Sequence, residues 1–114
     1  MTFQSVITMK EGVHHILLTG RVDSATAGEF EQTLKSLFDT EGSKVILNFA
    51  GLNYISSAGL RVVLMAAKRA KQNQGRLVLC GLLPHVREVF EISGFLKILE
   101  VIGDCEQALS LLKA

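Results

Sequence analysis

Residues 44–61 read KVILNFAGLNYISSAGLR, and this segment decides the fold. Its first part, Lys44 to Phe49, is short and nearly continuous in apolar character, which is typical of a strand buried on both faces of a sheet. A helix is predicted to begin near Ser56 or Ser57 and to continue to a stop at Gly75. A buried strand that leads directly into a long helix predicts an α/β fold with this strand in the centre of the sheet.

Upstream of this segment, the sequence predicts an antiparallel hairpin followed by a helix. The apolar, β-branched runs Phe3–Met9 and Val13–Leu18 are separated by a short turn that contains glycine. In the next segment, Thr26 and Glu29 have the spacing of a capping box at a helix start, and Gly42 is the predicted end of that helix.

Downstream, strands and helices alternate to the end of the sequence. Strands are predicted at Arg76–Cys80 and Ile98–Ile102, with a helix from Pro84 to Ser93-Gly94 between them and a last helix capped by Asp104. Parallel strands joined by right-handed crossover helices are the usual result of this pattern. We therefore expect one α/β domain over residues 1–114, with an N-terminal β-hairpin and a mixed sheet of about five strands and four helices.

The bulk composition limits the kinds of partner. With 114 residues and 48% hydrophobic content, the chain has material for one packed core. Its formal net charge of +1 gives no general attraction to nucleic acid or to an anionic membrane, and neither partner is expected. Nothing resembles a secretory signal or a membrane span. Cys80 and Cys105 are far apart, which favours free thiols over a disulfide and a reducing, cytoplasmic compartment.

The sequence gives no support to an enzyme, a cofactor or a metal site. A nucleophile elbow needs Gly-x-Ser-x-Gly, but Ile55 occupies the first glycine position. His14, His15 and His85 have no spacing that selects one of them as a general base or a metal ligand. No glycine-rich phosphate loop is present either.

The junction at Ser56 and Ser57 is the candidate functional segment. A helix N-terminus presents unpaired N–H groups and a partial positive charge, which favour a phosphate once one is attached there. The same spacing also fits an alternative without function, in which Ser56 is an ordinary N-cap and Ser57 an ordinary first-turn residue. The spacing leaves both interpretations open.

Four further motifs accompany this junction in a fixed order. They are Leu18–Asp23 (LTGRVD), Val45–Phe49, Leu77–Gly81 followed by Pro84-His85-Val86, and Phe90–Phe95 (FEISGF). Together with Ser56–Leu60 (SSAGL), they resemble the STAS domain and, within it, the bacterial anti-sigma factor antagonists, whose helix start reads Asp-Ser-Ser/Thr-Gly-Leu. The resemblance covers nearly the whole chain and implies the same α/β fold.

The resemblance assigns a regulatory phosphorylation site to this chain. The family's phosphorylated serine stands two residues before the glycine of Gly-Leu, which implies Ser57 rather than Ser56. Ser56 occupies the position of the family's acid, and Ala58 that of its second hydroxyl residue. Asp23 is either an acid of the same site or a cap of the first helix.

The second helix has a candidate docking stripe. At 100° per residue, one narrow outer stripe contains Ser57, Arg61, Met65, Lys68 and Gln72. The candidate partner-binding residues are Asp23, Ser56, Ser57, Gly59, Arg61, Met65 and Lys68. The open alternative is a solvated basic face that contains a methionine by chance.

The resemblance implies a partner-switching function. The unphosphorylated protein would bind an anti-sigma factor that is also a serine-protein kinase, and so release a sigma factor. The kinase would phosphorylate Ser57, and a PP2C-type phosphatase would restore the binding form. The alternative is a STAS interaction or scaffold subunit of a transporter or signalling complex that is not phosphorylated, which the missing acid at Ser56 favours.

Overall fold

A computed structural model describes residues 3–113 of the chain. The elements in chain order are strands β1 (Gln4–Lys10) and β2 (Val13–Val22), helix α1 (Ala27–Leu37), strand β3 (Lys44–Ile55), helix α2 (Ser57–Gln72), strand β4 (Arg76–Cys80), helix α3 (Pro84–Ile92), strand β5 (Glu100–Ile102) and helix α4 (Cys105–Lys113). A short 3₁₀ turn, Phe95–Lys97, lies between α3 and β5.

The five strands form one mixed sheet in the order β1-β2-β3-β4-β5. β1 is antiparallel to β2, and every later pair of neighbours is parallel. The turn between β1 and β2 consists of Glu11 (φ 52°) and Gly12 (φ 79°), the two positive φ values of a type I′ hairpin turn. The predicted α/β fold, with a hairpin, a mixed sheet and β3 at its centre, is confirmed.

Both faces of the sheet are covered, by unequal layers. The larger core lies between one face and the helices α1, α2 and α3, and includes Phe30, Phe49 and Phe90. A smaller cluster lies under α4 on the opposite face and includes Ile46 and Leu112. Because β3 contributes side chains to both layers, its sequence must be apolar at successive positions, as residues 45–47 are.

Helix α4 is attached to the small-layer face by polar as well as apolar contacts. The Lys44 ammonium donates a hydrogen bond to the Leu112 carbonyl oxygen at 2.7 Å. The Lys113 ammonium lies 3.5 Å from a carboxylate oxygen of Glu11 in the hairpin turn. Both contacts involve the last turn of α4. The buried side chains of Ala108 and Leu112 pack the middle and the end of the helix against the sheet.

Two helix ends differ from the predicted positions. α1 ends at Leu37, and Gly42 (φ 79°) lies in the following turn instead of closing the helix. α2 ends at Gln72, and Gln74 (φ 58°), not Gly75, adopts the left-handed conformation. Gly75 is required for a different reason, since a Cβ there would lie 2.5 Å from the Ser43 carbonyl oxygen.

Three strands differ in length from their predictions. β2 continues to Val22 and β3 to Ile55, since each remains paired with the other through a register shift. The last strand is shorter than predicted and begins at Glu100, because the N–H groups of Ile98 and Leu99 close the preceding 3₁₀ turn on the Phe95 carbonyl oxygen.

Cys80 and Cys105 form a disulfide, so the prediction of two free thiols is wrong. Cys80 ends β4, and Cys105 begins α4. The chain returns through α3 and β5 to the end of β4, which brings the two Cα atoms within 5.1 Å despite a separation of 25 residues. Free thiols therefore give no support to a reducing compartment for this chain. No helix within residues 3–113 is long and apolar enough to cross a membrane.

The disulfide gives a testable stability prediction. We expect Cys105→Ser to lower the free energy of unfolding by about 3 kcal/mol under oxidising conditions, because the bond closes a 25-residue loop in the unfolded chain. Urea unfolding measures the change. In excess dithiothreitol the variant and the unmodified chain should unfold at nearly the same urea concentration. Equal free energies of unfolding for the variant and the unmodified chain without reductant would contradict the presence of the disulfide.

Candidate functional site

The candidate site lies where β2 and β3 end and α2 begins. The Ser56 N–H donates a hydrogen bond to the Val22 carbonyl oxygen at 2.9 Å, which ties the start of α2 to the end of β2. Parallel strands end at the same edge of a sheet, and loops at this edge commonly carry the functional residues of α/β proteins. The geometry therefore brings the β2 loop and the α2 start, predicted separately, to one edge.

Ser56 is the N-cap of α2. Its backbone is extended (φ −91°, ψ 176°), and its hydroxyl oxygen accepts a hydrogen bond from the Gly59 N–H at 3.3 Å. Its carbonyl oxygen accepts the first helical hydrogen bond, from the Leu60 N–H at 2.9 Å. The side chain is half-buried and engaged within the fold.

Ser57 is the first residue of α2 and is exposed. Within residues 3–113, its hydroxyl has no hydrogen-bond partner, and the first turn of α2 contains no acidic residue. The adjacent serines therefore differ in their surroundings: the Ser56 hydroxyl caps the helix, while the Ser57 hydroxyl faces solvent. The helix N-terminus beside it favours negative charge.

Gly59 is buried in the first turn of α2. A Cβ at this position would lie 2.6 Å from the Cγ1 atom of Ile55 and 2.8 Å from that of Val22. The missing side chain therefore allows the first turn of α2 to pack against the ends of β2 and β3. Gly59 was predicted to bind a partner, and from its buried position it can contribute only indirectly, by placing the helix.

Asp23 organises the loop between β2 and α1. Its Oδ1 atom accepts hydrogen bonds from the N–H groups of Ala25 (2.9 Å) and Thr26 (3.2 Å). Desolvation alone would raise the pKa of this carboxyl, but these bonds, the Thr26 hydroxyl and the Arg21 charge outweigh it and lower the pKa. These bonds stabilise the turn that leads into α1, whose N-cap is Thr26, so Asp23 does not cap the helix itself, and its role as an acid of the site stays a prediction.

The predicted capping box of Thr26 and Glu29 is wrong. Thr26 makes no side-chain capping bond to α1. Its hydroxyl instead accepts a hydrogen bond from the Asp23 N–H at 3.0 Å and donates one to the Arg21 carbonyl oxygen at 3.2 Å. The side chain points back because Asp23 has already turned the backbone, with its carbonyl oxygen bonded to the N–H groups of Thr26 and Ala27.

Arg21 and Tyr54 add a feature that the sequence analysis did not identify as part of the site. They are paired across β2 and β3, and the Arg21 guanidinium carbon lies 4.7 Å from the centroid of the Tyr54 ring. The Nε atom of Arg21 lies 3.4 Å from Oδ2 of Asp23. Tyr54 is 43% exposed, so an aromatic side chain borders the site. No signal in the sequence indicated this pair, because the predicted strands ended at Leu18 and Phe49 and the pairing of Arg21 with Tyr54 follows a shift in register between β2 and β3.

The outer stripe of α2 is exposed and basic. Ser57, Arg61, Met65, Lys68 and Gln72 are all exposed, with Met65 at 50%. α2 contains four basic residues and no acidic one. Within the described part of the chain, Arg69 is paired with Asp39 at 3.4 Å, whereas Arg61 and Lys68 have no ion-pair partner.

A shallow groove of about 280 Å³ runs between α1 and α2, beside this stripe. Its lining combines apolar and charged side chains: Glu31, Leu34, Lys35, Val62, Met65, Ala66, Lys68, Arg69 and Gln72. Met65 and Lys68 therefore belong both to the outer stripe and to the groove. Methionine is adaptable at protein contacts and arginine is enriched at interfaces, so Met65 and Arg61 are suited to contact with another protein.

Comparison with known proteins assigns the family. The model of the STAS domain matches residues 4–108. The chain is 50% identical over 103 residues to the Bordetella bronchiseptica protein BtrV, named as a candidate anti-sigma factor antagonist, and the match covers 90% of this chain and 89% of that protein. The chain belongs to the STAS domain family. Within that family, it falls among the anti-sigma factor antagonists.

Solved structures show the same fold. An anti-sigma factor antagonist from Mycobacterium paratuberculosis matches with a TM-score of 0.88 at 17% identity, over 99% of this chain and 96% of that one. The Bacillus protein SpoIIAA matches in its unphosphorylated form (TM-score 0.72, 20% identity, 99% of both chains). Its phosphorylated form matches with a TM-score of 0.69 at 21% identity, over 95% of this chain and 99% of that one.

The different surroundings of the two serines give a stability prediction. We expect Ser56→Ala to lower the free energy of unfolding by about 1 kcal/mol, because it removes the N-cap bond to Gly59. Ser57→Ala, the matched control one residue later, should change it by less than about 0.5 kcal/mol, because an exposed hydroxyl is lost. Urea unfolding measures both. A larger effect at Ser57 would contradict the assignment of the N-cap.

Gly59 gives a second prediction, with Gly28 as its control. Gly59→Ala should destabilise the fold by about 1–3 kcal/mol, because the new methyl group would overlap Ile55 and Val22. Gly28 lies in α1 and has open space around its Cβ position, so Gly28→Ala should be neutral or stabilising by up to about 1 kcal/mol. Thermal unfolding distinguishes the two. A tolerated Gly59→Ala would show that close packing does not fix the start of α2.

Proposed function

We propose that this chain is a partner-switching regulator whose binding to an anti-sigma factor is controlled by phosphorylation of Ser57. The observation that carries the proposal is the exposed Ser57 hydroxyl at the first position of α2, beside a Ser56 hydroxyl engaged as the N-cap. A kinase can therefore reach Ser57 without opening the fold. Modification of Ser56 would require the loss of its bond to Gly59.

In the proposed binding form, Ser57 is unmodified and the chain binds an anti-sigma factor that is also a serine-protein kinase. Arg61, Met65 and Lys68 extend the contact along the exposed stripe of α2. Asp23 and Ser56 border the contact at the ends of the strands, and Gly59 supports it from below. Binding removes the anti-sigma factor from its sigma factor, which is then free to direct transcription. The relatives named as anti-sigma factor antagonists support this partner.

Phosphorylation disrupts this contact by its charge and its hydration. A phosphate adds about −1.5 to −2 charge and three strong acceptor oxygens at the centre of the proposed surface. The favourable interaction of the phosphate with the helix N-terminus contributes only about 0.3–1 kcal/mol at an exposed position. This is less than the free-energy cost of desolvating the phosphate against a partner. No rearrangement of the sheet is needed. That SpoIIAA resembles this chain in both of its forms is consistent with a local effect.

The cycle requires an enzyme that removes the phosphate. A PP2C-type phosphatase acting on phosphorylated Ser57 would restore the binding form. Exposure of the residue makes it accessible to this second enzyme as well as to the kinase. The chain itself supplies an acceptor hydroxyl and a docking surface, and the proposed cycle takes place in the cytoplasm, where sigma factors act.

One observation favours a second function. Ser56 occupies the position of the family's acid, and the first turn of α2 contains no carboxylate. If kinase recognition depends on that acid, the chain would serve as a permanent STAS interaction or scaffold subunit of a transporter or signalling complex. The same α2 surface would then bind its partner without a switch.

Variants at the two serines test the proposal. Ser57→Asp should weaken binding to the purified anti-sigma factor kinase by about tenfold or more, because it places a charge at the centre of the contact. Ser57→Ala should leave binding intact and abolish phosphate uptake from ATP. Isothermal titration calorimetry measures binding, and tandem mass spectrometry locates the phosphate.

Ser56→Ala is the matched control and should still take up phosphate at Ser57. If Ser56→Ala abolished phosphate uptake and Ser57→Ala did not, the assignment within the pair would be wrong. Binding without any phosphate uptake by the unmodified chain would support the scaffold function instead.

A further inference from the structure

Strand β1 forms an exposed edge of the sheet. Among residues 3–113, its one neighbour in the sheet is β2. Three of its apolar side chains face solvent to a large extent: Val6 is 58% exposed, Ile7 44% and Met9 60%. Because side chains alternate along a strand, Ile7 and Met9 lie on one face and Val6 on the other. Each face of this edge strand therefore carries at least one exposed apolar side chain.

The usual protection of an edge strand is absent from β1. Edge strands of monomeric proteins commonly carry several charged residues, a proline or a β-bulge that prevents pairing with another chain. β1 has the sequence QSVITMK, with a single charge at its last residue, Lys10, and no proline. Its register with β2 is continuous from Gln4↔Thr19 to Lys10↔Val13, without a bulge. The strand is thus regular and free to accept a partner strand.

The hairpin determines which backbone groups are free. Lys10 and Val13 flank a two-residue turn and form the closing, hydrogen-bonded pair. Hydrogen-bonded and non-hydrogen-bonded pairs alternate along antiparallel strands. The N–H and C=O groups of Ser5, Ile7 and Met9 therefore point away from β2, towards the open edge.

We propose that β1 pairs with β1 of a second copy of this chain, antiparallel and around a two-fold axis at Ile7. This register places Ile7 opposite Ile7 of the second copy, and Ser5 opposite its Met9. All three are the positions whose backbone groups are free, so they form the hydrogen-bonded pairs of the new ladder. The two five-stranded sheets become one continuous sheet.

Charge favours this arrangement over a parallel one. In the antiparallel register, each Lys10 lies opposite Gln4 of the other copy, and the two lysines are about 20 Å apart along the strands. A parallel, in-register pairing would place the two lysines side by side, and like charges opposite each other are destabilising. The isologous contact also closes at two copies, so it does not propagate into a filament.

The surface is separate from the proposed phosphorylation site. The contact uses β1 and no residue of α2, so Ser57 and the stripe from Arg61 to Lys68 are not part of it. Failure of the phosphorylation cycle would leave this proposal unaffected. A dimer would carry two Ser57 sites and could engage two partner molecules at once.

Sedimentation equilibrium of the full chain over a range of concentrations tests the proposal, with Ile7→Lys as the disrupting variant. The unmodified chain should sediment as a concentration-dependent dimer. Ile7→Lys should sediment as a monomer at the same concentrations, because it sets two ammonium groups opposite each other at the axis. Leu17→Lys is the matched control: Leu17 is 38% exposed on β2, opposite Val6 and one strand in from the edge, so this variant should still form dimers. Circular dichroism verifies that all three chains are folded.

Spin labels test the register independently of any disruption. Single labelled cysteines at residues 4, 7 and 10 should give strong dipolar broadening at residue 7, and longer, similar distances of about 20 Å between backbones at residues 4 and 10. A chain that remains monomeric at every concentration would overturn the proposal. A dimer that persists in Ile7→Lys would also overturn it. So would a dimer in which the shortest distance between labels is found at residue 4 or residue 10, or in which no labelled position gives a short distance.

Discussion

The burial of β3 on both faces is the constraint on which the rest of the structure depends. Val45 and Leu47 pack into the larger core, and Ile46 packs into the smaller cluster under α4. The strand therefore cannot shift by one residue without exchanging its two layers. Because α2 begins immediately after β3 ends, a fixed strand register also fixes the start of the helix. The bond from Ser56 N–H to the Val22 carbonyl oxygen, together with the close packing at Gly59, completes this attachment.

The candidate site follows from that attachment. A helix start needs a cap, and the capping bond engages the first of two adjacent serines within the fold. The second serine falls on the exposed side of the first turn, at the start of a stripe that contains a half-exposed methionine and two cations without an ion-pair partner among the described residues. One rigid junction thus separates a structural hydroxyl from an accessible one. A modification at the accessible hydroxyl changes the surface without changing the core, which is the property that a partner switch requires.

Local patterns in the sequence predicted the sheet, its central strand and the start of α2. Apolar character in residues 45–47 and the Ser-Ser-Ala-Gly-Leu junction are read from neighbours along the chain. One wrong prediction concerned distant segments: the Cys80–Cys105 disulfide depends on the return of the chain through α3 and β5. Thr26 and Glu29 have the spacing of a capping box, but the Thr26 hydroxyl and backbone N–H form hydrogen bonds with Asp23 instead. The Arg21–Tyr54 stack depends on a shifted register between β2 and β3 that no local pattern encodes.

The central claim is that charge at residue 57 controls docking on an otherwise unchanged fold. The most direct measurement is calorimetric titration of the purified anti-sigma factor kinase into the chain with phosphoserine incorporated at residue 57 during translation, compared with the unmodified chain. The account predicts that the modified chain loses at least about tenfold in affinity, while its amide NMR spectrum changes only near the start of α2. Equal affinities for the two forms, or spectral changes throughout the sheet, would contradict it.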